Sequence, residues 1–190
     1  MAAPTEVESS RTPGSMLWGV IREIVETAIL AVIIWLAVNY LTARYVVVGE
    51  SMEPTLHSGQ YLIVDRMSYR LGEPQRGDIV VFDYPLNTTD DYVKRVIGLP
   101  GETVRISNGQ VYVNDVALDE PYTSSETPGA QTWIVPEGSY FVLGDNRHSS
   151  SDSRSWGVLS REYIIGKVWA SYWPPEHWAF ISHYDYASAP

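Results

Sequence analysis

Three short stretches of the chain hold residue types that could do chemistry together. The first is Gly49-Glu50-Ser51-Met52-Glu53-Pro54-Thr55-Leu56, in which a serine follows a β-rich run and a glycine, and a proline fixes the chain three residues on. That is one way to hold a nucleophile proud of a sheet edge, although serine is also a common turn former. The second stretch spans 91–101, where strand alternation puts Tyr92, Lys94 and Val96 on one face and Val93, Arg95 and Ile97 on the other. Adjacent cations on opposite faces leave at least one pointing somewhere apolar, unless the strand is an edge. There desolvation disfavours the ammonium, and a lysine that normally titrates at about 10.4 becomes a base able to take a serine proton. A lysine that snorkels to water does none of this. The third stretch, Gly144-Asp145-Asn146-Arg147-His148-Ser149-Ser150-Ser151-Asp152-Ser153-Arg154, is dense in groups that bond their own backbone and reads as an ordered polar loop. Asp152 and Arg154 can pair within it and Asp145 can anchor its start. A serine from it could aim a neutral lysine, as the third member of a triad orients its base; a plain surface loop fits the same residues.

These stretches need a frame. From Tyr45 onward, short β-branched and aromatic runs alternate with turn residues and predict strands over 45–48, 60–65, 78–84, 91–99, 103–106, 111–114, 131–135, 139–143 and 164–172. Asn108-Gly109 between two of them is a hairpin signal. Strands so spaced, without long helices between them, predict a mainly β, antiparallel domain. Residues 114–130, rich in Pro, Gly, Ser, Thr and Asp, read as a flexible insertion.

Ahead of the β domain, residues 1–16 read as a disordered tail and 17–44 as an apolar anchor, leaving 45–190 as the β-rich domain. Residues 27–43 carry no charge over 17 positions, a helix of roughly 25 Å. The stretch is apolar all round, unlike an amphipathic core helix, and Asn39-Tyr40-Leu41-Thr42-Ala43 offers no small-residue cleavage site. An uncleaved transmembrane helix is therefore expected, with Trp18, Tyr40 and Tyr45 at its interfaces. Arg11 and Arg22 before the span and Arg44 after it favour a cytoplasmic N-terminus and an extracytoplasmic β domain at the cell membrane.

Composition removes several classes of function. A formal net charge of −10 argues against nucleic acid, which needs clustered Lys and Arg. Cysteine is absent, so there is neither a thiol nucleophile nor a disulfide. The four histidines, His57, His148, His177 and His183, show no metal-ligand spacing, so neither metal nor cofactor is expected. His57 and His148 also lack an obvious orienting acid for a Ser-His hydrolase.

Taken together, the ordered stretches resemble the bacterial type I signal peptidases, or leader peptidases, from the anchor to about Trp173. The matching signatures are G-E-S-M-E-P-T-L at 49–56, R-G-D-I-V-V-F at 76–82, Y-V-K-R-V-I-G-L-P-G-E at 92–102 and G-D-N-R-H-S-S-S-D-S-R at 144–154. The resemblance implies a β-sheet catalytic domain of that type, in its compact Gram-positive-like form, with an N-terminal transmembrane helix. It implies a serine endopeptidase with Ser51 as nucleophile, Lys94 as general base and Ser150 as the residue that hydrogen-bonds the lysine. Asp145, Asp152 and Arg154 would hold the loop, Arg95 would sit beside the base, and the backbone N–H of Ser51 would stabilise the oxyanion. Some members carry a hydroxyl two residues before the nucleophile; here that place is Gly49, which leaves a second donor unassigned. Preproteins cut after Ala-x-Ala-like sites would be the substrates, with membrane lipid and the secretion translocon as further partners. Their small residues would meet Tyr45, Val47, Val48, Met52, Leu56, Leu62, Val81, Tyr92 and Val93, with the chain adding as a strand beside the 78–84 and 45–48 edges. The related readings are a Ser/Lys self-processing protease and an inactive membrane-anchored binding module.

Overall fold

The computed structural model describes residues 13–184 and 186; residues 1–12 of the expected tail lie outside them. The chain divides into two units between Tyr40 and Leu41. The first is the helix α1 (Pro13–Leu41), which opens on a proline, a residue suited to a first helical turn. Its segment Leu17–Leu41 has a mean hydropathy of 2.1 and none of its most apolar window is buried, so it is long and apolar enough to cross a membrane. Asn39, a polar residue near its C-terminal end, donates its side-chain amide to the Trp35 carbonyl at 2.8 Å, so the helix itself takes up that donor.

The second unit is mainly antiparallel β. Its strands are β1 (Thr42–Val46), β2 (Tyr61–Asp65), β3 (Ile79–Tyr84), β4 (Asn87–Gly98), β5 (Thr103–Ser107), β6 (Gln110–Val113), β7 (Val116–Ala117), β8 (Gln131–Ile134), β9 (Ser139–Leu143), β10 (Leu159–Ser160), β11 (Ile164–Trp173) and β12 (Ala179–Phe180). Among the described residues they form two sheets. The larger has eight strands in the order β1-β2-β11-β3-β4-β9-β10, with β12 beside β11; the smaller runs β7-β6-β5-β8. The fold class follows the sequence pattern closely. β1 begins at Thr42 rather than Tyr45, because Thr42 and Ala43 already pair with Asp65 and Val64 of β2. The β5–β6 hairpin turns at Asn108 and Gly109, both with positive φ, 50° and 80°, as its dipeptide predicts.

Two differences matter for the site. The expected free edge at 78–84 is interior, since β3 is flanked by β4 and β11. Free edge is found instead on β4, whose pairing with β9 covers only Arg95–Gly98. The 114–130 segment, read as a flexible insertion, is tied down: it contains β7, buries Leu118 and Thr127, and directs Glu120 to a buried arginine, Arg147.

A core of Val47, Met52, Leu56, Leu62, Val64, Ile79, Val81 and Val168 packs against Tyr45 of β1 and Val93 of β4. Each such side chain stabilises the fold by about 1.5–3 kcal/mol. A second core, with Ile97, Val104, Ile106 and Phe141 among its members, joins the larger sheet to the smaller one.

Candidate active site

Ser51 sits in a turn that its neighbours fix from below. The Leu56 N–H donates to the Met52 carbonyl at 2.9 Å, closing one helical turn that drives both side chains into the core, at 1% and 0% exposure. Ser51 is left at the surface end of that turn. Lys94 reaches it from the middle of β4, where it pairs across the sheet with Val80. Its Nζ lies 2.8 Å from Ser51 Oγ and 2.8 Å from the Val93 carbonyl, to which it donates. Only 3% of Lys94 is exposed. Burial strips water from the ammonium and lowers the pKa to about 8, against the opposing fields of Asp152 and Asp145. A pKa this close to neutral makes the amine a competent base.

Both opposing carboxylates are engaged elsewhere, which limits how strongly they hold the proton on Lys94. Asp145, fully buried, accepts from Arg95 Nε at 2.8 Å and Nη2 at 2.7 Å, and from Thr55 Oγ1 at 2.6 Å. Asp152 accepts from Arg154 Nε and Nη2, both at 2.8 Å, and caps the one-turn helix Ser153–Trp156. It also takes the Gly144 N–H at 3.1 Å. The Asn146 N–H donates to the Ser51 carbonyl at 3.1 Å, so loop and nucleophile are bonded directly. A Cβ at Gly144 would collide with the Ser51 carbonyl and with Ser150 Oγ, so only glycine permits this approach. Ser150 Oγ is buried with no hydrogen-bond partner among the described residues, so the hydrogen bond to Lys94 that the resemblance implies is not made here.

The profile of the signal peptidase family, peptidase S26, matches residues 20–173. The chain belongs to that family. Among its relatives, a probable signal peptidase I-2 of Synechocystis sp. is 43% identical over 162 residues, covering 80% of this chain and 73% of the relative. A signal peptidase IB of Staphylococcus aureus is 37% identical over 170 residues, covering 80% and 88%. A crystal structure of a signal peptidase I from Enterococcus faecalis is 38% identical, covers 50% of this chain and 97% of its own, and superposes with a TM-score of 0.46. This member of the signal peptidase family is thus a serine peptidase, a hydrolase acting on signal peptides, and its N-terminal apolar helix fits a membrane-anchored protein.

In this family member Ser51 and Lys94 both line a groove of about 630 Å³ between residues 45–51 and 89–94. Of the residues that the resemblance implies for substrate contact, Tyr45, Val47, Val48, Leu62, Val81, Tyr92 and Val93 line it; Met52 and Leu56 do not. They form the floor's underside, because the helical turn after Ser51 points them inward. Sequence reasoning missed the polar half of the lining: Glu50, Thr89, Asp90, Asp91, Ser149 and Ser151. Tyr92 stacks on Tyr84 at 4.3 Å, which stiffens that wall. Arg95 also donates to the Gly77 carbonyl at 2.9 Å, and Arg76 and Asp78 are buried in ion pairs with Glu102 and Lys167. The Arg-Gly-Asp tripeptide is therefore internal scaffolding. His57 does have an acid beside it, Glu53 at 3.4 Å, a pairing four residues apart that the sequence reading overlooked; neither residue lines the groove.

Proposed function

We propose that Ser51 is the nucleophile and Lys94 the general base of a signal peptidase that cuts preproteins after Ala-x-Ala-like sites at the membrane surface. The observation that carries this reading is the 2.8 Å approach of Lys94 Nζ to Ser51 Oγ with the amine almost wholly withdrawn from water. In the neutral amine the proton direction reverses: Ser51 O–H donates to Nζ, and the amine takes that proton as Oγ attacks the scissile carbonyl. The ammonium then gives it to the leaving amine, and a water repeats the sequence to free the acyl chain. The Ser51 N–H serves as an oxyanion donor, a contribution of about 10²–10³ in rate. Asp145, Asp152 and Arg154 hold the loop in which Ser150 packs against Gly144, and Arg95 holds the strand beside the base.

The substrate lies extended along the free stretch of β4 and the 45–49 segment, with main-chain hydrogen bonds giving register. Its small side chains meet Val47, Leu62, Val81 and Val93, apolar walls that offer a buried polar or charged group no partner. The helix α1 anchors the enzyme as a single span of the plasma membrane, with the N-terminus cytoplasmic and the β unit outside; Arg11 and Arg22, on the N-terminal side of the uncharged 27–43 run, support this orientation. Membrane lipid and the translocon are the expected partners.

Incubation of the purified full chain with a preprotein carrying an Ala-x-Ala site tests the reading. Ser51→Ala and Lys94→Met should each lower kcat by 10⁴-fold or more, as loss of one member of a catalytic unit does. Retained cleavage by Lys94→Met, together with loss on substituting His57 or His148, would overturn the choice of base.

A further inference from the structure

Beyond the two catalytic side chains, the Ser51–Ser150 approach depends on one backbone point, Gly144, wedged between the Ser51 carbonyl and Ser150. Asp152 takes the Gly144 N–H, and the Gly144 carbonyl is held by Arg147, which is 1% exposed. Its Nε donates to the Gly144 carbonyl at 3.0 Å, and its two Nη atoms grip Glu120 at 3.0 and 2.7 Å, with Thr127 as a further acceptor. Glu120 and Thr127 belong to the 114–130 segment, so the arginine clamps the loop to a distant part of the chain. The same segment supplies Tyr122, whose ring lies 4.0 Å from the Arg95 guanidinium and whose hydroxyl meets that of Tyr186. One stretch of chain thus supports both the loop and the strand that converge on Ser51.

We infer that Glu120 and Arg147 are positioning residues for the peptidase reaction, acting through Gly144 and Asp145 on the Ser51–Lys94 pair; the inference rests on the function proposed above. The charges around the pair set its sign. Lys94 faces the Ser51 hydroxyl, the Tyr92 ring at 5.3 Å, and the fields of Asp145 and Asp152. Asp145 is met by Arg95 and Thr55 and interacts with Arg147; Asp152 is met by Arg154; Arg147 is met by Glu120 and Tyr122. Asp145 favours the protonated amine. Arg147 offsets that carboxylate, and Glu120 in turn offsets Arg147.

Removing the guanidinium therefore raises the Lys94 pKa, and neutralising Glu120 lowers it. The test is the pH dependence of kcat/KM for preprotein cleavage by the full-length protein. Arg147→Met should move the acid limb up, and Glu120→Gln should move it down, each by about half a pH unit or more. The double variant should return it near its starting place. Arg147→Lys keeps the charge but not the planar fork, so its limb should stay put while kcat falls about tenfold from the loosened Gly144. A merely structural clamp would lower activity in all variants without moving the limb in opposite directions. Limbs unmoved, or moved the same way by Arg147→Met and Glu120→Gln, overturn the inference and leave the Ser51–Lys94 reading intact. An unaltered enzyme with no acid limb overturns that reading first and this inference with it. Should Arg147→Met fail to fold, Glu120→Gln and Arg147→Lys still decide: an unmoved limb in the first, or undiminished kcat in the second, overturns it.

Discussion

Lys94 and Arg95 are neighbours on β4, and each is 3% exposed, yet the two sides of the strand treat a buried cation in opposite ways. On the Arg95 side everything compensates the charge: a carboxylate gripped at two points, the Gly77 carbonyl, and an aromatic face. On the Lys94 side no carboxylate of the described residues is in contact; among them the amine meets a hydroxyl and a carbonyl oxygen, and its pKa falls to about 8. Burial alone does not make a base. What makes one here is burial combined with diverting the nearby carboxylates to other cations.

Breaking the two sides should therefore have unequal consequences for stability, and the largest is expected at Arg95. Arg95→Met leaves Asp145 buried without its ion-pair partner, a loss of about 3–5 kcal/mol. Lys94→Met replaces an amine that resists burial with an apolar side chain of similar length, so its stability at pH 7 should equal or exceed that of the unaltered chain. Urea unfolding of both full-length variants at pH 7 measures the contrast. Equal destabilisation by the two would mean that Lys94 is as well compensated as Arg95.

The sequence carried one side of this contrast better than the other. Alternation placed Lys94 and Arg95 on opposite faces, and the strand pattern anticipated the antiparallel sheets, because period-two patterning is a local signal. The apolar anchor was equally legible, since an uncharged run needs no partner to declare itself. The compensation of Arg95 was not legible from pattern, because Asp145 lies 50 residues away and only the folded sheet brings them together. The same holds for Glu120, whose partner is 27 residues on, so a segment rich in Pro, Ser and Thr looked unstructured when two buried contacts hold it. Met52 and Leu56 looked like groove residues beside the nucleophile; a single helical turn sends them beneath it.

A slightly smaller effect should appear in the pH dependence of stability. The folded-state pKa of Lys94 is about 8, below its ordinary value of 10.5. Between these values the unfolded chain binds the extra proton, so stability should rise as pH increases from about 8 to 10.5. The full gain from this group is about 3 kcal/mol, fully absent below pH 8. The difference in unfolding free energy between the unaltered chain and Lys94→Met, followed across this window, isolates it from other titrating groups. A difference that stays constant with pH would place the amine in water. Cleavage should rise through the same lower value, tenfold per pH unit on its acid side, because only the neutral amine accepts the Ser51 proton.

The least effect is expected at an ion pair whose carboxylate stands in water. Arg105 and Asp115 meet at 3.1 Å across the smaller sheet, against 2.7 Å for Arg95 and Asp145, but 89% of the Asp115 side chain is exposed. Water already solvates that carboxylate, so pairing gains little and its loss costs little. Asp115→Asn should change stability by less than about 0.5 kcal/mol, and less still at high salt, where screening weakens surface pairs further. The cost of losing a charge in this molecule would then follow the water taken from its partner rather than the length of the bond, and a change of several kcal/mol at Asp115 would break that relation.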